Sequence, residues 1–393
     1  MSALVTSSIC FLAGLLIITW MHNQYQLDIV VEPVSSLKTP STSLGADAPL
    51  ISVCVPARNE ERNIGRCVEA LLAQTYPKLE VIVLDDRSTD STAEILSRLS
   101  ASDSCIKVIG GSDLPQGWAG KPHALTQTAA AAHGEWLCFV DADTFVTPDA
   151  LAAVYAKAIE TNADLFTIMT HQIMLTFWER TVLPLVMLAL SIGFSPRKVN
   201  DPKRKDAIAN GQFIFIKRSV YDAVDGHEAI KSSIVEDKDL AVLVKGKGYR
   251  LVVADGRQVA STRMYTSLAE MWEGWTKNIY LGLRDDRGLL LGVFGAFLAF
   301  TAALLLPAWV IWGVVLTLAD LGLEGSVVLI EALALWGYLL FWRILASRSM
   351  GIPAWYALTT PLGAGLFAAM MITSAWNILS GVGVTWKGRT YSQ

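Results

Sequence analysis

Between Leu50 and Val140, short apolar runs alternate with amphipathic segments, and that alternation leaves few folds open. Leu50–Val55, Glu80–Leu84, Ile106–Ile109 and Glu135–Val140 read as strands. Glu61–Gln74 places Ile64, Val68, Leu71 and Leu72 on one helical face. Ser91-Thr92-Ala93-Glu94 reads as a capping box opening a second helix, and Lys121–His133 as an alanine-rich third. This βα repetition predicts an α/β, doubly wound, mostly parallel sheet with right-handed crossovers. It sets three loops, 56–63, 85–90 and 141–144, at the sheet edge where open α/β folds place their ligands.

The fourth strand carries the sharpest chemical signal. An apolar run that suits a buried strand, Trp136 to Val140, ends abruptly in Asp141-Ala142-Asp143. If the chain turns there, both carboxylates can face one hard cation, Mg2+ or Mn2+, with positions left for phosphate oxygens. The simpler reading is a turn capping the next helix. Thr147-Pro148-Asp149 fits that as an N-cap with proline at the first helical position. It accounts for Thr147 and Pro148, but not for two acids set against a buried strand.

The neighbouring loops share this polar character. Pro56-Ala57-Arg58-Asn59-Glu60 can wall a base pocket, and a carboxylate of Asp85-Asp86-Arg87-Ser88-Thr89-Asp90 can accept from a base N–H or ribose hydroxyls. Lys121 stands at a helix N-terminus, where its charge adds to a dipole that already favours phosphate. Neither a P-loop nor a dinucleotide glycine fingerprint follows the first strand, which disfavours Walker ATPases and dinucleotide enzymes. A net charge of −4 gives no case for a nucleic-acid partner. The cysteines Cys10, Cys54, Cys67, Cys105 and Cys138 lack Cys-x-x-Cys spacing and read as reduced thiols, not zinc ligands or disulfides.

Taken together, Pro-Ala-Arg-Asn-Glu at 56–60, Leu-Asp-Asp-Arg-Ser-Thr-Asp at 84–90, Gly-Lys at 120–121 and Asp-Ala-Asp at 141–143 resemble the inverting, GT-A-fold family-two glycosyltransferases. The resemblance implies nucleotide-sugar binding by the first two loops. Those roles fall to Pro56, Ala57, Arg58, Glu60 and Asp86, with Asp141 and Asp143 holding a metal on the diphosphate.

Inverting transfer also needs a base for the acceptor hydroxyl. The stretch Val235-Glu236-Asp237-Lys238-Asp239 opens a helix, where acids are often only dipole partners. The family's Glu-Asp motif matches Glu236-Asp237, which makes Asp237 the expected base with Glu236 second. Asp239 reads as a cap. Asn210-Gly211-Gln212, Trp272 and Trp275 are candidates for the acceptor side; the two tryptophans equally suit interfacial anchors. The Gln-x-x-Arg-Trp of processive members is absent, which argues against polymer synthesis. Phe177-Trp178-Glu179-Arg180, Val199-Asn200-Asp201-Pro202 and Trp386-Lys387-Gly388-Arg389-Thr390-Tyr391 look like the membrane-bound branch that includes hopene-associated and carotenoid glycosyltransferases.

Charged residues make up only 17% of the chain, so part of it is expected in lipid. The expected organisation is an uncleaved anchor at 1–22, a linker at 23–48, a GT-A domain at 49–285 and a membrane domain at 286–393. Within the GT-A domain, 176–196 reads as an interfacial helix followed by basic residues 197–205; a buried core helix with a solvated loop is the alternative. Spans are expected near 288–319, 326–346 and 353–380, the last bent into a hairpin at Pro361–Gly365. The nucleotide sugar that the resemblance implies is cytosolic, so the catalytic domain is expected on the cytoplasmic side of a multi-pass inner-membrane protein, and Arg284, Arg287, Arg343 and Arg348 agree with the positive-inside rule.

The resulting expectation is transfer of one hexose from a nucleotide sugar, a UDP sugar, to a hydroxyl or carboxyl of a lipid-like acceptor such as a carotenoid, hopanoid or glycerolipid. Transfer to a polyprenyl phosphate is the alternative chemistry, a nucleotidyltransferase another, and a degenerate membrane scaffold the non-enzymatic one.

Overall fold

The structure is a computed structural model that describes residues 3–29, 47–193, 195–282, 286–319, 322–386 and 389–391. Helix α1 (Ala3–Ile29) precedes a βα series: β1 (Ile51–Ala57), α2 (Ile64–Leu72), β2 (Leu79–Asp85), α3 (Thr92–Ser102), β3 (Ile106–Gly110), α4 (Gly120–Ala131) and β4 (Trp136–Val140). The next elements are β5 (Thr144–Val146), α5 (Ala150–Glu160), β6 (Leu165–Met169), β7 (His171–Gln172), α6 (Phe177–Gly193) and α7 (Pro196–Asn200). Then come β8 (Phe213–Lys217), α8 (Arg218–Ala223), α9 (Glu236–Gly246), β9 (Leu251–Asp255), β10 (Ala260–Thr262) and α10 (Leu268–Gly282). Helices α11 (Asp286–Leu318), α12 (Gly322–Ser349) and α13 (Thr360–Leu379) follow, with a 3-10 turn at Ala354–Thr359, and the strands β11 (Val384–Trp386) and β12 (Arg389–Tyr391) close the chain.

The main sheet runs β3-β2-β1-β4-β8-β6-β9. Strands β1 to β4 are parallel, as the βα alternation predicts, while β8 runs antiparallel to both β4 and β6. That reversal matters for the site. It brings the start of β8, where Phe213 pairs with Val140, to the same edge as the ends of β1, β2 and β4. Burial explains why β1 is central: Val53, Cys54 and Val55 are fully enclosed, with Val53 and Val55 facing one core and Cys54 the other.

A third apolar cluster lies apart from the sheet. Val182, Leu183 and Val186 of α6 pack with Met271 and Trp275 of α10 and with Phe367, Met370 and Met371 of α13. Helix α6 therefore has a core-facing side, as the buried-helix alternative for 176–196 expects. Phe194 lies outside the described residues.

Among the described residues, three helices are long and apolar enough to cross a membrane: Leu4–Asn23, Gly322–Ser349 and Ala354–Leu379. Leu304–Leu318, the second half of α11 around Pro307, is a shorter apolar helix. The hairpin expected at Pro361–Gly365 does not form. Pro361 sits in the first turn of α13, where its missing N–H has no helical partner to lose, and the helix runs unbroken through Gly363 and Gly365. Gly363 is needed for packing, because a Cβ there would stand 2.4 Å from the Thr181 carbonyl of α6. The anchor helix continues to Ile29, past the expected boundary, and most of the linker, 30–46, lies outside the described residues.

Two local expectations also fail. Ser91 makes no side-chain cap; Asp90 instead accepts from the Thr92 N–H at 3.0 Å. Helix α5 starts at Ala150, and the Thr147 hydroxyl donates to Asp149 at 2.8 Å.

Candidate active site

The parallel strand ends assemble one wall. Arg58 donates through Nη1 to the Asp86 carbonyl at 2.7 Å, tying the first loop to the second. Asn59 and the second loop are cross-linked: the Asn59 N–H donates to Ser88 Oγ at 2.9 Å, and Asn59 Oδ1 accepts from the Thr89 N–H at 2.8 Å. Asn59 and Arg87 both adopt positive φ, 52° and 55°. Non-glycine residues seldom hold that conformation unless their surroundings impose it, and it concentrates at functional loops.

The Asp141–Asp143 turn forms the floor. The Thr144 N–H closes it on the Asp141 carbonyl at 3.0 Å, and the Asp141 N–H donates to the Gln212 carbonyl at 3.3 Å. Strand β5 then pairs with β10, which also pairs with β7. These strands are only two or three residues long, too short to show periodicity in the sequence.

Lys121 joins this floor to the opposite wall. Its Nζ lies 2.7 Å from Asp141 Oδ1 and 2.8 Å from Glu236 Oε1. Burial alone would lower the Lys121 pKa, but the Asp141 and Glu236 charges outweigh it and hold the ammonium firmly protonated. The same charge keeps Glu236 below the usual carboxylate range against the burial that would raise it. Burial raises Asp141 despite Lys121.

Asp237 differs from its neighbour. Burial, with the Glu236 charge beside it, pushes its pKa up to about 6. Its two oxygens are held by backbone donors, Oδ2 by the Gly211 N–H at 2.9 Å and Oδ1 by the Lys238 N–H at 2.7 Å. A Cβ at Gly211 would stand 3.0 Å from Asp237 Oδ2 and 3.3 Å from Lys121 Nζ, so a side chain there would crowd both. Asp239 does not take the expected capping role: it lies inside α9, whose N-cap is Val235 with no side-chain cap bond, and its carboxylate accepts from Ser233 Oγ at 2.6 Å.

A single cavity of about 950 Å3 joins these groups. Pro56, Ala57, Arg58, Glu60, Asp86 and Lys121 line its polar end, with both acidic pairs, so Asp143 and Asp237 share one cleft. Asn210, Gly211, Gln212 and Trp275 also reach it, whereas Trp272 packs against the α6–α10–α13 cluster and is not in the lining. Asn210 and Gln212 are engaged inward: Asn210 Nδ2 donates to the Ile168 carbonyl at 2.9 Å, and Gln212 Oε1 accepts from Thr170 Oγ1 and Gln172 Nε2. From the polar end the cavity continues along apolar residues of α1, α6, α11 and α13, among them Ile17, Leu188, Leu305 and Phe367.

The sequence reading missed Lys277. It lines the cavity on α10, and burial, against the attraction of Glu236, lowers its pKa to about 8. Helix α10 is held to α9 by Lys238 Nζ, which donates to the Gly282 carbonyl at 2.8 Å. A lysine in the Trp-x-x-Trp-x-Lys pattern gave no signal by itself.

Asp141 and Asp143 offer hard oxygen donors that suit a divalent cation. Among the described residues no group of three or more His, Cys, Asp or Glu side chains gathers into a self-sufficient metal site. Both carboxylates line the cavity, where two protein oxygens would leave positions for phosphates of a bound ligand, the way Mg2+ is commonly held.

Residues 52–225 match the family described as Glycosyl transferase family 2. Two curated relatives are 4,4'-diaponeurosporenoate glycosyltransferases of Staphylococcus aureus. That of strain N315 is 27% identical over 268 residues, covering 66% of this chain and 69% of the relative. That of strain MRSA252 is 28% identical over 254 residues, covering 63% and 66%. A mannosyltransferase from Pyrobaculum calidifontis, solved in complex with GDP-Man and Mn2+, superimposes with a TM-score of 0.54 at 17% identity, over 96% of this chain and 98% of that one. This likeness extends the fold over nearly the whole chain.

Proposed function

Because residues 52–225 form a glycosyl transferase family 2 domain, we propose that this chain moves a single hexose from a nucleotide sugar, a UDP sugar, to a hydroxyl or carboxyl of an apolar, lipid-like acceptor, with inversion. The observation that carries this reading is the continuity of the cavity: carboxylates and lysines at one end, among them Asp141, Asp143, Glu236, Asp237 and Lys121, and apolar helices at the other.

The donor is assigned to the polar end. Arg58, Glu60 and Asp86 would take the nucleoside, and Lys121 would meet the diphosphate. Asp141 and Asp143 would hold Mg2+ or Mn2+, which when bound would neutralise charge on the diphosphate as it departs. The acceptor is assigned to the apolar end, so that only its reactive group leaves the lipid environment. For an alcohol, Asp237 takes the hydroxyl proton as the oxygen attacks the anomeric carbon, and the electron pair of the broken bond leaves on the diphosphate. A carboxylate that is buried, backbone-anchored and held near pH 6 is suited to that task. Glu236, locked to Lys121, stays charged and fixes the lysine rather than moving a proton.

The catalytic domain would face the cytoplasm, where nucleotide sugars are made, and the helices α1, α12 and α13 would lie in the inner membrane. The test is a transfer assay with the full chain in detergent, given UDP sugars, Mn2+ and a membrane lipid extract. The proposal expects sugar in the lipid phase and UDP in the water phase. Activity restricted to water-soluble acceptors would overturn it.

A further inference from the structure

Outside the reacting groups, an ion pair between the enclosed Glu179 and the half-buried Arg263 connects the membrane-side layer to the Asp141–Asp143 turn. Glu179, in the first turn of α6, is wholly enclosed. Its carboxylate accepts from Arg263 Nε at 3.0 Å and Nη2 at 3.5 Å, from the Leu175 N–H at 2.9 Å, and from the Thr176 N–H. Burial alone would raise its pKa, but these bonds, Arg263's foremost, hold it below the usual value, so it stays ionised. Arg263 immediately follows β10, and its N–H donates to the Asp143 carbonyl at 3.4 Å. One residue earlier, Thr262 Oγ1 meets Thr144 Oγ1 at 3.1 Å, and the Thr262 carbonyl accepts from the Ile173 N–H at 2.8 Å.

On the other side, the links continue into the membrane helices. The Arg180 carbonyl accepts from Nη2 of the buried Arg343 of α12 at 3.2 Å, and Arg180 Nε donates to the Met174 carbonyl at 3.0 Å. Helix α6 is in turn pressed on α13 at Gly363.

We propose that Glu179 and Arg263 are a positioning pair: they set the Asp141–Asp143 turn from the seat of α6 among the membrane-side helices, and so determine how tightly the turn holds a divalent cation and diphosphate. This rests on the reading of that turn as the cation and diphosphate site.

Replacing a buried ion pair by apolar groups is often neutral for stability, so stability alone is a poor account of a charge as enclosed and as many times hydrogen-bonded as that of Glu179. A merely structural pair would change folding stability. A positioning pair would change ligand affinity even when folding is intact, as outer-sphere partners of metal ligands do, typically by about 10–100-fold.

The experiment measures Mn2+ and UDP binding to the full chain in detergent, by Mn2+ spin resonance and calorimetry, without turnover. It compares wild type, Arg263→Lys, Glu179→Gln and Glu179→Ala, with melting temperature recorded for each. Arg263→Lys keeps the charge but loses the two-pronged grip, and should weaken Mn2+–UDP binding by about tenfold at a nearly unchanged melting temperature. Glu179→Gln keeps the shape and should fall between wild type and Glu179→Ala. If wild type binds Mn2+–UDP and the folded Arg263→Lys binds it equally well, the positioning role is overturned. If wild type itself binds no Mn2+–UDP, the reading of the turn has failed instead, and the proposal falls with it.

Discussion

The two acidic pairs that meet at Lys121 are built from the same residue types and held in opposite ways. Asp141 and Asp143 end a strand, on a short turn closed by backbone bonds and braced by a three-stranded ribbon. Glu236 and Asp237 open a helix, and Asp237 is gripped at both oxygens by backbone N–H groups. The Asp141 side chain remains 26% exposed, whereas that of Glu236 is 8% exposed. One arrangement leaves carboxylate oxygens facing a cavity that must admit a phosphate. The other buries a carboxyl until its pKa approaches neutrality. On the proposed function, environment rather than residue type would divide the work between cation and proton: burial raises both Asp141 and Asp237, while Lys121 holds Glu236 low, and neighbouring acids pushed apart in pKa, as Glu236 and Asp237 are, commonly mark such a division.

Removing the base gives the largest expected effect. Asp237→Asn should lower kcat on an alcohol acceptor by about 10²–10⁴-fold while Mn2+–UDP affinity, measured by calorimetry, changes little. A parallel loss of both would erase the distinction between the pairs. Next in size, Asp143→Asn should weaken Mn2+–UDP binding by about 100-fold or more, the upper end of what outer-sphere changes produce. Calorimetry showing unaltered affinity would place the cation elsewhere.

A pH profile sharpens the comparison further. Asp237 must be unprotonated to accept the hydroxyl proton, so kcat on an alcohol acceptor should rise as pH increases through about 6 and level off above it. The Lys121 charge holds the Asp237 pKa down, so in Lys121→Met the rising limb should move to higher pH. A limb that stays in place would mean that Lys121 does not govern the proton-accepting side. The smallest effect is expected at Trp272→Phe, which lies off the cavity lining and should leave acceptor KM within about twofold, a difference of under about 0.5 kcal/mol, in the lipid-transfer assay.

The sheet edge was legible because its signals are local. Apolar runs of strand length, one amphipathic helix and an Asp-Ala-Asp at a buried strand's end are each contained within a few residues. That β1, β2 and β4 run parallel follows from them; their order in the sheet does not. The antiparallel β8 was not legible, since an apolar run has no direction, yet that reversal is what carries Asn210–Gln212 to the site. Helix boundaries drifted where side-chain caps were inferred from residue type: Ser91 and Thr147 have suitable hydroxyls that the backbone does not use.

The candidate residues themselves were largely legible, and their connections were not. That Lys121 stands at a helix N-terminus is a sequence fact; that it bridges Asp141 and Glu236 depends on folding distant segments together. Lys277 and the Glu179–Arg263 pair have the same character, single charges in helices and strand ends whose partners are far away in the chain. The expected hairpin at Pro361–Gly365 failed for a physical reason. Proline costs a helix little in its first turn, and Gly363 serves close packing against α6 rather than a bend.

The most direct test follows the fate of a doubly labelled donor, carrying isotope in the sugar and in the nucleoside, with the full chain in lipid nanodiscs containing a cognate membrane extract. The account predicts that sugar label enters the lipid phase in equal amount to the UDP released, and that Asp143→Asn, and for an alcohol acceptor Asp237→Asn, each lower the transfer by about 100-fold or more. Release of pyrophosphate, or transfer that survives both substitutions, would contradict it.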